Sequence, residues 1–109
     1  MATRKISELR FRPDEEGQLK DTMVILTPHY AHAVAFYAGM DCWAYSGWQK
    51  KRGKPVGVKV EKYERLLKSL QKKGLRRKID VRGDEIQHGH HRAAAWLALG
   101  HEEIECREV

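Results

Sequence analysis

Between Gly74 and Val109 the hydropathy pattern changes period several times, and a glycine stands at each boundary. Lys78 to Arg82 and Glu85 to His88 read as two short strands, and Gly83-Asp84 between them is a turn pair suited to a hairpin. Arg92 to Leu99 is nearly all alanine and other apolar residues, as expected of a helix buried on most sides, and Gly100 ends it. Ile104 to Val109 begins by alternating and predicts a last strand. The chain must therefore mix strands and helices. The transition at Gly89-His90-His91-Arg92 is chemically informative, because a helix start leaves backbone N–H groups without intrahelical acceptors. Those amides, the positive end of the helix dipole and the adjacent Arg92 suit a phosphate.

The clearest helix precedes this segment. Tyr63, Leu66, Leu67 and Leu70 fall at i, i+3, i+4 and i+7 among charged residues, predicting a helix over 61–73. Glu61 and Glu64 near its start and Lys72 and Lys73 near its end match the dipole, and Gly74 is a natural stop. Val56, Val58 and Val60 alternate and predict a strand, with Lys50 to Pro55 as the loop before it. Thr27-Pro28 is a helix-start signal, so a helix is expected from Pro28 to about Ala38, ending at Gly39. Met23 to Leu26 suits a buried strand. Lys5 to Phe11 suits a short strand, stopped by Pro13 and the acidic turn Asp14 to Gly17. The aromatic-rich stretch Asp41 to Trp48 carries no decisive period.

At 109 residues, with 41% hydrophobic and 33% charged residues, the chain suits one domain with one core. No apolar run approaches the roughly 18 residues of a membrane span. Met1 to Lys5 has no apolar stretch behind it, so a cytoplasmic location and no membrane partner are expected. Cys42 and Cys106 are the only cysteines and are expected to be reduced. The net charge is +6, and residues 48–78 hold thirteen of the 21 Lys and Arg against only Glu61 and Glu64. Concentrated positive charge favours a polyanionic partner, although a solvated helix face produces the same pattern. A basic chain ending on a strand also offers an edge for pairing with a second copy.

The order Tyr63 to Leu70, Gly74-Leu75, Ile79-Asp80-Val81, the Ile86-to-Arg92 motif, an Ala-rich helix, Leu99-Gly100 and an Ile104 strand resembles the ParB/sulfiredoxin superfamily. The resemblance covers about residues 56–109, with Ile6 to Phe11 as a candidate first strand. It implies a single small α+β domain over 1–109, a short mixed sheet packed with helices, in which residues about 12–55 are a family-divergent insertion. It also implies that the motif binds the phosphates of a nucleotide, ATP or CTP with Mg2+, and beyond binding implies nucleotide hydrolysis or phosphoryl transfer. ParB proteins carry Gly-Glu-Arg-Arg at this position, sulfiredoxins Gly-Cys-His-Arg, and free-serine kinases Asp-Gly-His-Thr-Arg. Gly89 and Arg92 match all three, His91 the sulfiredoxin histidine, and His90 the kinase histidine. The departures narrow the chemistry. His90 replaces the sulfiredoxin nucleophile, which excludes sulfinic acid repair, and His88 replaces the kinase acid. His91 is only partly cationic where the ParB box is basic. Phosphate binding by Gly89, His90, His91 and Arg92 survives these departures.

Arg92 offers a planar fork of donors to phosphate oxygens, and His90 and His91 could donate to phosphate or relay a proton. Alternatively, Arg92 pairs with Glu102 or Glu103 and His91 is structural. Asp80, Asp84 or Glu85 could assist a magnesium ion, with nothing in their spacing to choose among them. His88, His90, His91, His101 and Cys106 are close in sequence but lack the paired spacings of a zinc site, so no metal site is expected. His29 and His32, at i, i+3, are expected to be partly exposed and structural. Phe36 and Trp43 are expected to complete a small core, with Trp48 exposed beside the basic loop. The competing functional reading is a non-catalytic accessory protein of a phage or plasmid that binds DNA or RNA through the basic segment. Its contacts would be Trp48, Lys50, Lys51, Arg52, Lys54, Arg76, Arg77 and Lys78.

Overall fold

The computed structural model describes residues 2–12, 19 and 21–109, which form an α+β fold of five strands and four helices. In chain order these are β1 (Ala2–Lys5), β2 (Arg10–Phe11), α1 (Pro28–Tyr37), α2 (Ala44–Lys51), α3 (Val56–Lys73), β3 (Ile79–Arg82), β4 (Glu85–His88), α4 (His90–Ala98) and β5 (Glu103–Glu108). The turn expected at Pro13 to Gly17 lies outside the described residues.

The expected hairpin is present, with β3 and β4 antiparallel and Val81 opposite Ile86. β5 lies parallel to β3 on its other side, bringing Ile79 opposite Cys106. The complete order is β1-β5-β3-β4-β2, a mixed sheet. β5 is therefore internal, covered by antiparallel β1, and the exposed terminal edge expected from the sequence does not form. The N-terminal segment also departs from expectation. It spans the sheet, pairing through β1 at one edge and through β2, parallel to β4, at the other. A 3-10 turn at Ile6–Glu8 makes this crossing and buries Ile6 and Leu9. Their i, i+3 spacing matches three residues per turn, so the apparent strand pattern is broken by a turn that satisfies the same apolar positions.

Helix α4 separates two apolar clusters. Its Ala93 and Ala94 pack with Phe11, Ile79, Val81, Ile86 and Ile104 on the sheet, whereas Ala95 joins Ala33, Tyr45, Tyr63, Leu67 and Leu70 among the helices. Alanine at these positions lets the neighbouring layers approach closely. Thr27 caps α1 as expected, accepting from the Tyr30 amide at 3.2 Å, with Pro28 in the first turn. Immediately upstream, Val24–Leu26 is a 3-10 turn rather than a buried strand. Its Val24 is buried while Ile25 and Leu26 are exposed, and Thr27 Oγ1 donates to the Val24 carbonyl at 2.7 Å.

The expected strand at Val56, Val58 and Val60 is instead the start of α3. Val56 and Val60 lie four residues apart and are half-buried, while Val58 between them is exposed. Alternation over three valines includes an i, i+4 pair, so it satisfies a helix as well. Extending an established helix adds one hydrogen bond per residue ordered, which outweighs the modest preference of valine for strands. α2 similarly absorbs Lys50 and Lys51, which were expected in a loop. Both cysteines are free. Among the described residues no helix is long and apolar enough to cross a membrane.

Candidate functional site

Gly89 joins β4 to α4 with φ at +101°, a conformation that costs other residues about 1–2 kcal/mol. A Cβ here would also lie 2.5 Å from Ile79 Cγ2, so both backbone shape and packing select glycine. The Gly89 carbonyl accepts from the Ala93 amide at 2.9 Å and starts the helix, while no described side chain caps it. The first-turn amides thus remain available to an anion.

That helix start lines a cleft of about 580 Å3. Six cationic side chains converge there from separate parts of the chain: Arg12 after β2, Arg52 after α2, Lys59 and Lys62 on α3, Arg77 before β3, and Arg92 on α4. Among the described lining residues there is no Asp or Glu. Tyr45, Gln49, Tyr63 and Leu66 complete the inner wall. The cleft is therefore strongly electropositive.

Arg92 donates through Nη2 to the Lys78 carbonyl at 3.1 Å, and does not pair with Glu102 or Glu103. Its Nε is buried without a partner among the described residues. Burial, followed by the neighbouring Arg77 charge, lowers its pKa, with Asp80 pulling the other way. An anion in the cleft would relieve this repulsion.

His29, His90 and His91 are held neutral near pH 7, which corrects the expectation that His91 is partly cationic. Burial, reinforced by His90, Lys59, Lys62 and Arg52, holds His91 at about 3. Burial and then Arg12 hold His90 at about 4, opposed by a hydrogen bond to the Ile86 backbone. Burial likewise holds His29 well below its ordinary value. Tyr45 connects these groups. Its hydroxyl accepts from Gln49 Nε2 at 2.9 Å and shares a hydrogen bond with His91 Nε2 at 3.0 Å, while Arg52 donates to Gln49 Oε1 at 3.3 Å. His90 Nε2 accepts from the Arg12 amide at 3.3 Å. His90 consequently carries its proton on Nδ1. His29 lies behind them, edge-on to Phe11, Tyr45, Trp48 and His91. It and His32 are buried, not partly exposed.

Two of the residues expected to contact nucleic acid, Arg52 and Arg77, enter this cleft, and the others lie outside its lining. Arg52 and Arg77 line the cleft, and Lys78 borders a second cleft beyond Gly89. Lys50 and Lys51 are exposed on the last turn of α2, Lys54 is half-buried in the following loop, and Arg76 is exposed. Trp48 is half-buried rather than exposed, with the Arg52 guanidinium 4.3 Å above its ring. Trp43 is instead the exposed tryptophan, at 78%, and does not complete the core.

The three acids considered for magnesium are dispersed. Asp80 receives Arg107 at 3.0 and 3.2 Å, Asp84 pairs with Arg4, and Glu85 accepts from Gln87 at 2.7 Å. Among the described residues no group of three His, Cys, Asp or Glu is placed to hold a metal ion. His101 stacks on Trp96 at 3.7 Å, and Cys106 belongs to the sheet core.

Sequence reading missed Arg12, Lys59, Lys62, Tyr45, Gln49 and Tyr63 as cleft residues. A signal existed for part of this set: residues 59, 62, 63 and 66 form one helical stripe once α3 is extended back to Val56. No family model matches the chain, and neither curated proteins nor solved structures show a match.

Proposed function

We propose that the cleft binds the phosphate groups of a nucleotide, with ATP or CTP as the ligands to test first. The observation carrying this reading is the convergence of six Arg and Lys side chains from separate segments on the uncapped N-terminus of α4. Bringing like charges together is unfavourable without an anion, and a polyphosphate supplies several negative charges in a small volume. The order of motifs resembling ParB and sulfiredoxin proteins supports the same reading. His90 in the position of the sulfiredoxin cysteine argues against sulfinic acid repair. Binding comes first in this reading, and hydrolysis or phosphoryl transfer would follow from it.

Calorimetric titration with ATP, CTP, GTP and ADP, with and without magnesium, tests the proposal. Arg92→Ala should weaken binding by roughly ten- to a hundredfold, corresponding to loss of a charge-assisted hydrogen bond. Absence of binding by every nucleotide, or binding indifferent to Arg92→Ala, would refute it. Phosphate release in the same samples distinguishes binding alone from catalysis.

A further inference from the structure

The turn at Gly89 has basic clefts on both sides. Beyond the nucleotide cleft lies a second cavity of about 550 Å3 lined by Arg77, Lys78, Asp80, His88, Arg92 and Arg107, as well as Gly89. The two cavities share Arg77, His88, Gly89 and Arg92, so they adjoin across this strand-to-helix turn. The second contains four cationic residues and one carboxylate. That carboxylate, Asp80, is engaged by both the Nε and Nη2 groups of Arg107. Arg92 reaches Lys78 through its backbone carbonyl, leaving the Lys78 ammonium outside that hydrogen bond.

We infer that the two clefts together hold successive phosphates of a single-stranded nucleic acid, which crosses the Gly89–Arg92 turn. The inference rests on the phosphate-binding reading of the first cleft and extends it to a ligand class. A mononucleotide carries its phosphates at one end and fills one cleft. A polynucleotide carries a phosphate at every link and can occupy both. The concave first cleft, with its cations drawn from separate segments, suits the flexible backbone of one strand. A duplex is ordinarily read by a helix or ribbon projecting into a groove, a geometry this recessed site lacks.

Fluorescence anisotropy with 5′-phosphorylated oligothymidylates of increasing length, from the mononucleotide to about ten residues, tests the inference within the length range of such sites. Affinity should rise by about tenfold or more once a second phosphate reaches beyond Gly89. Lys78→Ala should weaken the longer ligands about three- to tenfold and reduce the log–log salt slope by about 0.7, leaving mononucleotide affinity unchanged. Arg107→Ala should have a larger effect, because it also frees the Asp80 carboxylate. Unchanged mononucleotide binding serves as the check that Lys78→Ala remains folded, and a cooperative thermal melt does so for Arg107→Ala.

Affinity independent of length, indifference of the longer ligands to Lys78→Ala, or tighter binding of a duplex of equal length would overturn this inference alone. Failure of ATP, CTP and thymidylate to bind would instead overturn the phosphate-cleft reading on which it depends.

Discussion

Helices α2 and α3 present two unlike surfaces. Toward α4 they contribute Tyr45, Gln49, Arg52, Lys59, Lys62, Tyr63 and Leu66 to the basic cleft. On another side they contribute Trp43, Ser46, Val56, Val60, Glu61 and Glu64 to a groove of about 440 Å3, joined by His32, Phe36, Met40 and Asp41. Among its described lining residues that groove has three carboxylates and no Lys or Arg. The charged residues are near neighbours in sequence, separated by helical rotation of about 100° per residue. These two helices of a chain with net charge +6 thereby line a strongly positive cleft on one side and a negative groove on another. The comparison shows that a charge run is not itself a surface: its secondary structure decides which charges cooperate.

The basic side hides neutral histidines, whereas His32 on the acidic side meets Glu64 at 3.0 Å. Acid should therefore act through the basic side. His90 and His91 have folded values of about 4 and about 3, below the ordinary 6.5, and His29 is shifted in the same direction. Their stabilising neutral state is fully available above about pH 6.5. As pH falls below that value the unfolded chain takes up protons first, so stability is lost progressively toward pH 3–4. Each histidine contributes a slope of up to about 1.4 kcal/mol per pH unit across its window. Denaturant melts at pH 7, 6 and 5 should show this loss; stability unchanged down to pH 5 would remove the proposed difference between the two sides.

Charge substitutions should produce a smaller but more local effect. Lys59→Glu together with Lys62→Glu should reduce nucleotide affinity by about a hundredfold, or about 2.7 kcal/mol, while Glu61→Gln should change it less than twofold. Comparable losses from both changes would show that overall charge, rather than the helix face, controls binding. The smallest effect should come from Trp43→Ala. Its side chain is 78% exposed, so stability should change by less than about 0.5 kcal/mol in thermal melts.

The most local features were the most legible. Gly83-Asp84 marked the hairpin, Thr27-Pro28 marked the start of α1, and the stripe through Tyr63, Leu67 and Leu70 marked α3. Each depends on nearby backbone or side-chain chemistry. Val56 to Val60 was ambiguous because three alternating valines fit both periods, and the adjoining helix resolved that ambiguity. The path of the N-terminal segment was hidden for a different reason. Its two strands belong to opposite sheet edges, and only partners 75 to 104 residues away, at β4 and β5, distinguish that arrangement from one continuous strand. The same limit applied to the aromatics: pattern did not distinguish exposed Trp43 from half-buried Trp48.

The sequence by itself determined the helix start at Gly89, its adjoining Arg92, and the excess of positive charge, because these depend on local backbone chemistry and composition. Only the tertiary structure decided which cations meet there. Arg12, Arg52, Lys59, Lys62 and Arg77 come from four separate stretches of chain, and packing α2, α3 and α4 over the sheet assembles them around one cleft. That packing also buries His90 and His91 and keeps them neutral, since the cost of charging an imidazole depends on desolvation and on neighbours that sequence spacing cannot place.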